Sequence, residues 1–117
     1  MNAVSMSKEV TSTLSINVRN VIPISELNRM ETYGIQIKEL TREADKWSES
    51  AEEACRDGRE DYVQYCLAQE VISRYRAKQI QKIEDSIMQE YEEIINVKGY
   101  EAALAECERT DYAEGNL

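Results

Sequence analysis

A long helical pattern with one strong break constrains this chain more than any other feature. Between Pro23 and Gly99 the break is the polar segment 57–61, Asp-Gly-Arg-Glu-Asp. On both sides of it, apolar side chains recur at the spacing of an α-helix. Two helices joined by a tight turn pack most simply side by side in opposite directions. We therefore predict an antiparallel two-helix coiled-coil hairpin with its turn at residues 57–61.

The first predicted helix follows Pro23 and a cap-like segment that begins at Ser25. Its apolar residues form an unbroken heptad stripe, with seven gaps of alternately three and four residues. This spacing predicts a coiled-coil seam in which Trp47 is the largest anchor. The residues of the stripe are Met30, Tyr33, Ile37, Leu40, Ala44, Trp47, Ala51 and Ala54.

The second predicted helix, from about Glu60 to about Lys98, lacks a strict apolar heptad. Ile72, Ile83 and Ile94 are eleven residues apart, a spacing that favours straight or right-handed packing. From both helices we predict a hairpin core formed by Met30, Tyr33, Ile37, Leu40, Trp47, Leu67, Ile72, Ile80, Ile83, Ile87 and Ile94. Apolar residues outside a single seam predict a surface for a helical partner or another copy, formed by Met88, Tyr91 and Ile95.

The two ends of the chain give weaker patterns. Residues 1–22 fit a half-exposed strand, because Leu14, Ile16 and Val18 alternate with polar residues, and they also fit a weakly ordered tail. A third interpretation is an amphipathic helix whose apolar face contacts a membrane through Val10, Leu14, Val18 and Val21. After Gly99, an alanine-rich segment predicts a short third helix from Tyr100 to Glu108. The predicted all-α chain therefore divides into segments 1–22, 23–98 and 99–117.

Composition excludes several classes of function. The chain has 117 residues and a net charge of −9, which disfavours nucleic acid as a partner. It has no histidine, so the commonest general base and metal ligand are missing. Glu49, Glu52 and Glu53 lack the Glu-x-x-His pattern of di-iron bundles and fit a solvated acidic face better. We predict no catalytic residue, no metal, no cofactor and no small-molecule substrate.

Cysteine usage and hydropathy address the compartment. The three cysteines, an odd number without framework spacing, favour a reduced cytoplasmic environment. They fit small buried residues better than a disulfide across the turn. The sequence shows neither a secretory segment nor a membrane-spanning run, so we expect a cytoplasmic protein, with peripheral contact at the inner membrane face as an extension of the amphipathic-helix interpretation.

The segment around the predicted turn resembles a known family. The residues that carry the resemblance are Trp47, Ala51, Glu52, Ala54, Gly58, Arg59, Glu60, Asp61, Tyr62, Cys66, Leu67 and Gln69. On these residues, the region of about 40–95 is similar to the phage shock protein A family of bacterial membrane-stress proteins. The resemblance implies a self-associating hairpin in the membrane-stress response or its regulation, with residues 8–22 as the membrane anchor. Tyr62 departs from the family, which usually has Leu there.

A second hypothesis follows from the residues alone. The apolar surplus along the second helix also fits a soluble coiled-coil adaptor or regulator, which binds another helical protein without membrane contact. The two hypotheses share a non-enzymatic helical hairpin, and they differ in whether residues 8–22 contact lipid.

Overall fold

The computed structural model describes residues 18–113, and most of this range is helical. Residues 18–20 are helical and precede a bend at Val21 and Ile22. Three longer helices follow: α1 spans Ile24–Arg56, α2 spans Glu60–Lys98 and α3 spans Tyr100–Ala113. No strand occurs between residues 18 and 113. The prediction of an all-α fold is therefore confirmed for this range.

Backbone hydrogen bonds around Gly58 close the break between α1 and α2. The amide of Arg59 donates to the carbonyl of Ala54 at 2.9 Å, and the amide of Gly58 donates to that of Cys55 at 3.2 Å. Gly58 has a φ of 73°, the left-handed conformation in which many helices end. Gly99, between α2 and α3, is also left-handed, with a φ of 89°. The break between the two helices therefore falls at the polar segment where the sequence predicts it.

Two glycine replacements are expected to change stability in opposite directions. Gly58→Ala forces a side chain into the left-handed region and should lower the free energy of unfolding by about 1–2 kcal/mol. Gly34→Ala lies inside α1, where the added Cβ meets Glu84 Oε1 at an ordinary 3.9 Å. It should raise that free energy by up to about 1 kcal/mol, because alanine favours the helix. Urea denaturation of both variants checks this, and equal signs would contradict it.

The chain divides into two compact units. The middle unit contains Glu31–Glu84, that is, most of α1 and the first part of α2. The terminal unit contains the described residues up to Met30 and those from Asp85 onward, including α3.

Small side chains fill the contact between α1 and α2 in the middle unit. Ala44, Ala51 and Ala54 of α1 are buried, as are Cys66 and Ser73 of α2. The remaining positions of the predicted α1 stripe in this unit are half-buried, and they are Tyr33, Ile37, Leu40 and Trp47. The heptad stripe predicted for the first helix therefore coincides with its buried side.

The buried side of α2 also follows a heptad, which the sequence interpretation missed. Its buried or half-buried positions, spaced alternately three and four residues apart, are Val63, Cys66, Glu70, Ser73, Ala77, Ile80 and Glu84. Glu70, Ser73 and Glu84 are polar, so a search for apolar residues does not detect this repeat. The apparent eleven-residue spacing came from isoleucines that lie partly off the buried side.

Three predicted core residues are consequently misplaced. The prediction that Leu67, Ile72 and Ile83 belong to the hairpin core is wrong, because all three are exposed. They lie next to the buried heptad of α2 or opposite it, whereas Ile80 lies on it and is half-buried. In the terminal unit, Ile87 and Ile94 are half-buried as well.

A second cluster of apolar residues forms the core of the terminal unit. Val18, Ile22 and Met30 are buried together, and Val18 and Ile22 are only 1% and 2% exposed. The half-buried residues that pack against this cluster are Leu27, Ile87, Met88, Tyr91 and Ile95. From α3, Ala103 and Cys107 are buried. The segment that precedes α1 is thus part of a hydrophobic core.

Candidate helix-binding surface

Exposed apolar side chains line the side of α2 that faces away from its buried heptad. Tyr65, Val71 and Tyr75 are 52%, 66% and 61% exposed. Ala68 and Ile72 are also exposed. Tyr65, Ala68, Ile72 and Tyr75 follow gaps of three, four and three residues, and Val71 lies beside them. We call these five residues the outer stripe. Its spacing is that of a helix face that packs against another helix.

The corresponding face of α1 has a different chemistry. Its exposed residues, spaced three and four apart, are Glu39, Arg42, Lys46, Glu49 and Glu53. Every one of these side chains is charged, as expected for a face that remains in water. The exposed apolar residues of α2 are therefore not a general feature of the middle unit, and a contiguous apolar patch of this kind commonly marks a site of protein interaction.

Aromatic contacts near the turn support one end of the outer stripe. The rings of Trp47 and Tyr65 meet edge to face, with centroids 5.7 Å apart. Tyr65 also stacks on Tyr62 at 6.1 Å, and the guanidinium of Arg59 lies 4.6 Å from the centre of the Tyr62 ring. Electrostatic and hydrogen-bonding interactions with Cys66 raise the pKa of Tyr62. The ring of Tyr65 is thus held on both sides while half of its surface faces solvent.

Charges are distributed unevenly along α2. Glu60 and Asp61 lie in its first turn. Farther along, Arg76, Lys78 and Lys82 are exposed. Arg74 donates hydrogen bonds to Glu70 at 2.8 Å and to Asp45 of α1 at 3.1 Å, and these partners raise the pKa of its guanidinium. Arg74 thus pairs with an acid on its own helix and with one on α1. The outer stripe therefore lies between an acidic end and a basic end.

The residues predicted to contact a membrane occupy a different environment. Val18 and Val21 are buried in the terminal unit. The prediction that these two face lipid is wrong for this structure, because the chain's own apolar side chains cover them. Val10 and Leu14, the other two members of that set, lie outside the described residues.

The predicted partner surface is also covered. Met88, Tyr91 and Ile95 pack, half-buried, against the cluster of Val18, Ile22 and Met30. The prediction that they form a free surface is wrong because the segment before α1 occupies it. Sequence reasoning did anticipate apolar residues outside a single seam on the second helix. The exposed ones form the outer stripe, a separate set nearer the chain's turn and on the side away from the buried heptad.

A carboxylate from α3 caps the first turn of α1. Oδ1 of Asp111 accepts a hydrogen bond from the backbone amide of Ile24 at 2.8 Å, and Asp111 is buried. The thiol of Cys107 donates to Oδ2 of the same carboxylate at 3.8 Å. A carboxylate is favourable here because the first amides of a helix lack partners within the helix and carry partial positive charge. The sequence offered no local signal for a cap 87 residues away.

Removing this cap should weaken the terminal unit. Asp111→Ala leaves the Ile24 amide without its acceptor and is expected to lower the free energy of unfolding by about 1–2 kcal/mol. Glu108→Ala, on the exposed side of the same helix, should change it by less than about 0.5 kcal/mol. Chemical denaturation followed by circular dichroism compares the two. Similar losses in both variants would contradict the capping role.

Cysteine reactivity should differ sharply between sites. Burial, followed by the nearby carboxylate of Asp111, raises the pKa of Cys107 to about 11. At pH 8 only about one such thiol in a thousand is ionised, and the thiolate is the reactive form. Cys55 is exposed, whereas Cys66 and Cys107 are buried. Iodoacetamide with mass spectrometry should therefore label Cys55 at least about tenfold faster than either buried cysteine in the folded protein. Equal labelling would contradict this arrangement.

The described residues show no sign of two other kinds of site. Between residues 18 and 113, cysteine, aspartate and glutamate side chains form no group of three that is suited to holding a metal ion. Within the same range, no helix has the combined length and apolar character needed to cross a bilayer.

Comparison with known protein families, with curated proteins and with solved structures found no match for this chain. The similarity to phage shock protein A therefore rests on the residues around the turn and stays a prediction.

Proposed function

We propose that this protein is a non-enzymatic helix-binding protein, a coiled-coil hairpin that uses the outer stripe of α2 to bind a helix of a protein partner. The observation that carries the proposal is the exposure of five apolar residues on the side of α2 away from its buried heptad, four of them at coiled-coil spacing with Val71 beside them. Tyr65 at one end also touches Trp47 of α1 and still exposes half of its surface. Leaving these residues in water is costly, and burying them against a second apolar helix stabilises a complex.

An antiparallel arrangement of α1 and α2 is supported by contacts along the middle unit. The position of Gly34 is close to Glu84, Asp45 bonds to Arg74, and Trp47 contacts Tyr65. As the residue number rises along α1, the number of the contacted residue falls along α2, which is the order expected for antiparallel neighbours. A rigid two-helix scaffold of this kind presents the outer stripe on a preformed helix, so binding does not require that helix to fold.

Burial of Val18 and Val21 favours helix binding over membrane anchoring. Contact with lipid through these two residues requires both to leave the core of the terminal unit. A membrane-binding helix needs its apolar face available at the bilayer surface. The role in membrane stress that the family resemblance implies stays a prediction. Lipid contact through Val18 and Val21 would also require free energy to open this core.

Site-specific photo-crosslinking tests the proposed function. A photoreactive amino acid replaces Val71 in the outer stripe or, as the control, Glu43 on the charged side of α1, in cells that naturally make the protein. We expect position 71 to form crosslinks to one defined helical segment, identified by mass spectrometry, and position 43 to form few. Ile72→Glu should abolish the crosslinks from position 71. No crosslink from position 71, or equal yields from both positions, would contradict helix binding.

A further inference from the structure

We propose that the helix bound by the outer stripe is α2 of a second copy of this chain. The two α2 helices run antiparallel, and the twofold axis that relates them crosses the outer stripe at the level of residue 70 along the helix. The inference rests on the proposed function and names the partner for the same surface. Symmetric dimers of this type use one self-complementary patch twice, so each favourable contact is made in two equivalent places. The outer stripe meets this requirement in shape, and the residues on either side of it along α2 meet it in charge.

The order of side chains in the outer stripe is nearly the same in both directions. Tyrosines stand at its two ends, Tyr65 and Tyr75. In the antiparallel pairing, Tyr65 of one copy lies beside Tyr75 of the other, and the small Ala68 lies opposite the larger Ile72. Val71 lies near the axis and faces its own counterpart. Pairing a small residue with a large one lets the side chains interlock without a void.

The charges on α2 select the antiparallel direction. Two acidic residues, Glu60 and Asp61, precede the outer stripe along α2. Three basic residues follow it, and they are Arg76, Lys78 and Lys82. An antiparallel pair brings the acidic end of each copy to the basic end of the other. A parallel pair brings like charges together at both ends, which is unfavourable.

The rest of the middle unit offers no comparable partner for the outer stripe. The exposed side of α1 is charged at each of its corresponding positions, from Glu39 to Glu53. Ile35 of α1 is a large apolar residue that is 52% exposed, but it precedes the charged positions from Glu39 to Glu53. Within the middle unit, the outer stripe of a second copy therefore offers an apolar surface flanked by complementary charges.

Sedimentation equilibrium of the full chain tests whether this dimer forms. We expect wild-type protein to be a dimer and Ile72→Glu to weaken association by at least about 30-fold, because the contact between Ile72 and Ala68 is lost at both of its symmetry-related places. Ile35→Glu places the same charge on exposed α1 and should leave the dimer unchanged. Circular dichroism should show equal helix content in all three proteins. A wild-type monomer, or equal association of wild type and Ile72→Glu, would overturn the proposal.

Crosslinking between two exposed positions tests the direction. In a Cys55→Ser background, Gln64→Cys and Lys78→Cys place thiols beside the outer stripe, where the antiparallel pairing brings position 64 of one copy to position 78 of the other. A short bismaleimide should crosslink the mixture of the two variants at least about tenfold more than either variant alone, because maleimide coupling needs both thiols within reach at once. Preferential crosslinking of each variant to itself would overturn the antiparallel pairing.

The two proposals fail in different ways. A monomer in sedimentation whose position 71 still crosslinks to a helix of another protein overturns the self-pairing and leaves helix binding in place. A monomer without any crosslink from position 71 contradicts both. A crosslinked peptide from α2 itself, together with the dimer, supports both.

Discussion

Ile22→Ala is expected to lower the free energy of unfolding by about 2–5 kcal/mol, the usual cost of truncating a fully buried isoleucine. Ile22 is 2% exposed and packs with Val18 and Met30 in the core of the terminal unit. The truncation removes apolar contacts and leaves a cavity that the surrounding helices fill only in part. A loss of this size is a large fraction of the stability of a small domain, and urea denaturation followed by circular dichroism measures it.

Ile35→Ala provides a matched control for that measurement. The substitution is the same, and the residue lies in α1, but its side chain is 52% exposed. We expect a change of less than about 0.5–1 kcal/mol. Equal effects at positions 22 and 35 would mean that the segment before α1 does not pack into the core. That result would restore the interpretation in which Val18 and Val21 are available to a membrane.

Ala44→Asp should destabilise the middle unit by about 3–5 kcal/mol, because it places a carboxylate without a partner in the contact between α1 and α2. Ala44 has 0% exposure, and the adjacent buried positions of this contact are also small. None of the buried side chains of this contact carries a positive charge that could pair with the new carboxylate. Thermal and urea denaturation should both show the loss.

Ala105→Asp controls for the weaker helix propensity of aspartate. Ala105 lies within α3 and is exposed, so its replacement carries the propensity cost of roughly 0.5–1 kcal/mol without burying a charge. A difference between the two variants therefore reports the burial at position 44. If both variants lost the same stability, Ala44 would not lie between two packed helices.

The first helix was predictable because its buried heptad consists of apolar residues and alanine. Every position from Met30 to Ala54 in the stripe is buried or half-buried, as periodicity alone predicts. In α2 the same repeat was hidden, since Glu70, Ser73 and Glu84 occupy buried-side positions. The carboxylate of Glu84 lies near Gly34 of α1, where even an added Cβ would be at an ordinary 3.9 Å.

The terminal unit shows what helical periodicity cannot decide. The spacing of Val18 and Val21 correctly indicated that both side chains belong to an apolar face. The sequence pattern of such a face is the same whether lipid or protein covers it. Met88, Tyr91 and Ile95 posed the same ambiguity, and the two sets turned out to belong to one unit. The Asp111 cap depends on a contact between residues far apart in the chain, for which a local pattern contains no information.

The candidate surface was predictable only in outline. An excess of apolar residues on the second helix indicated a second contact face. The sequence pattern nevertheless placed Ile72 in the hairpin core, and it did not identify Tyr65 and Tyr75 as part of any contact surface. Once the polar members of the buried heptad are known, the face opposite it follows from helix geometry. Predicting the outer stripe from sequence thus requires knowing that Glu70 and Ser73 lie on the buried side of α2.

Hydroxyl-radical footprinting of the tyrosines at rising protein concentration tests the helix-binding surface most directly. Tyr75 in the outer stripe and Tyr112 in α3 are both exposed, at 61% and 77%, so they serve as probe and internal control in one sample. If the outer stripe binds α2 of a second copy, oxidation of Tyr75 falls as concentration rises while that of Tyr112 stays constant. Constant oxidation of Tyr75 at every concentration, in the chain alone, would contradict pairing of the outer stripe with a second copy.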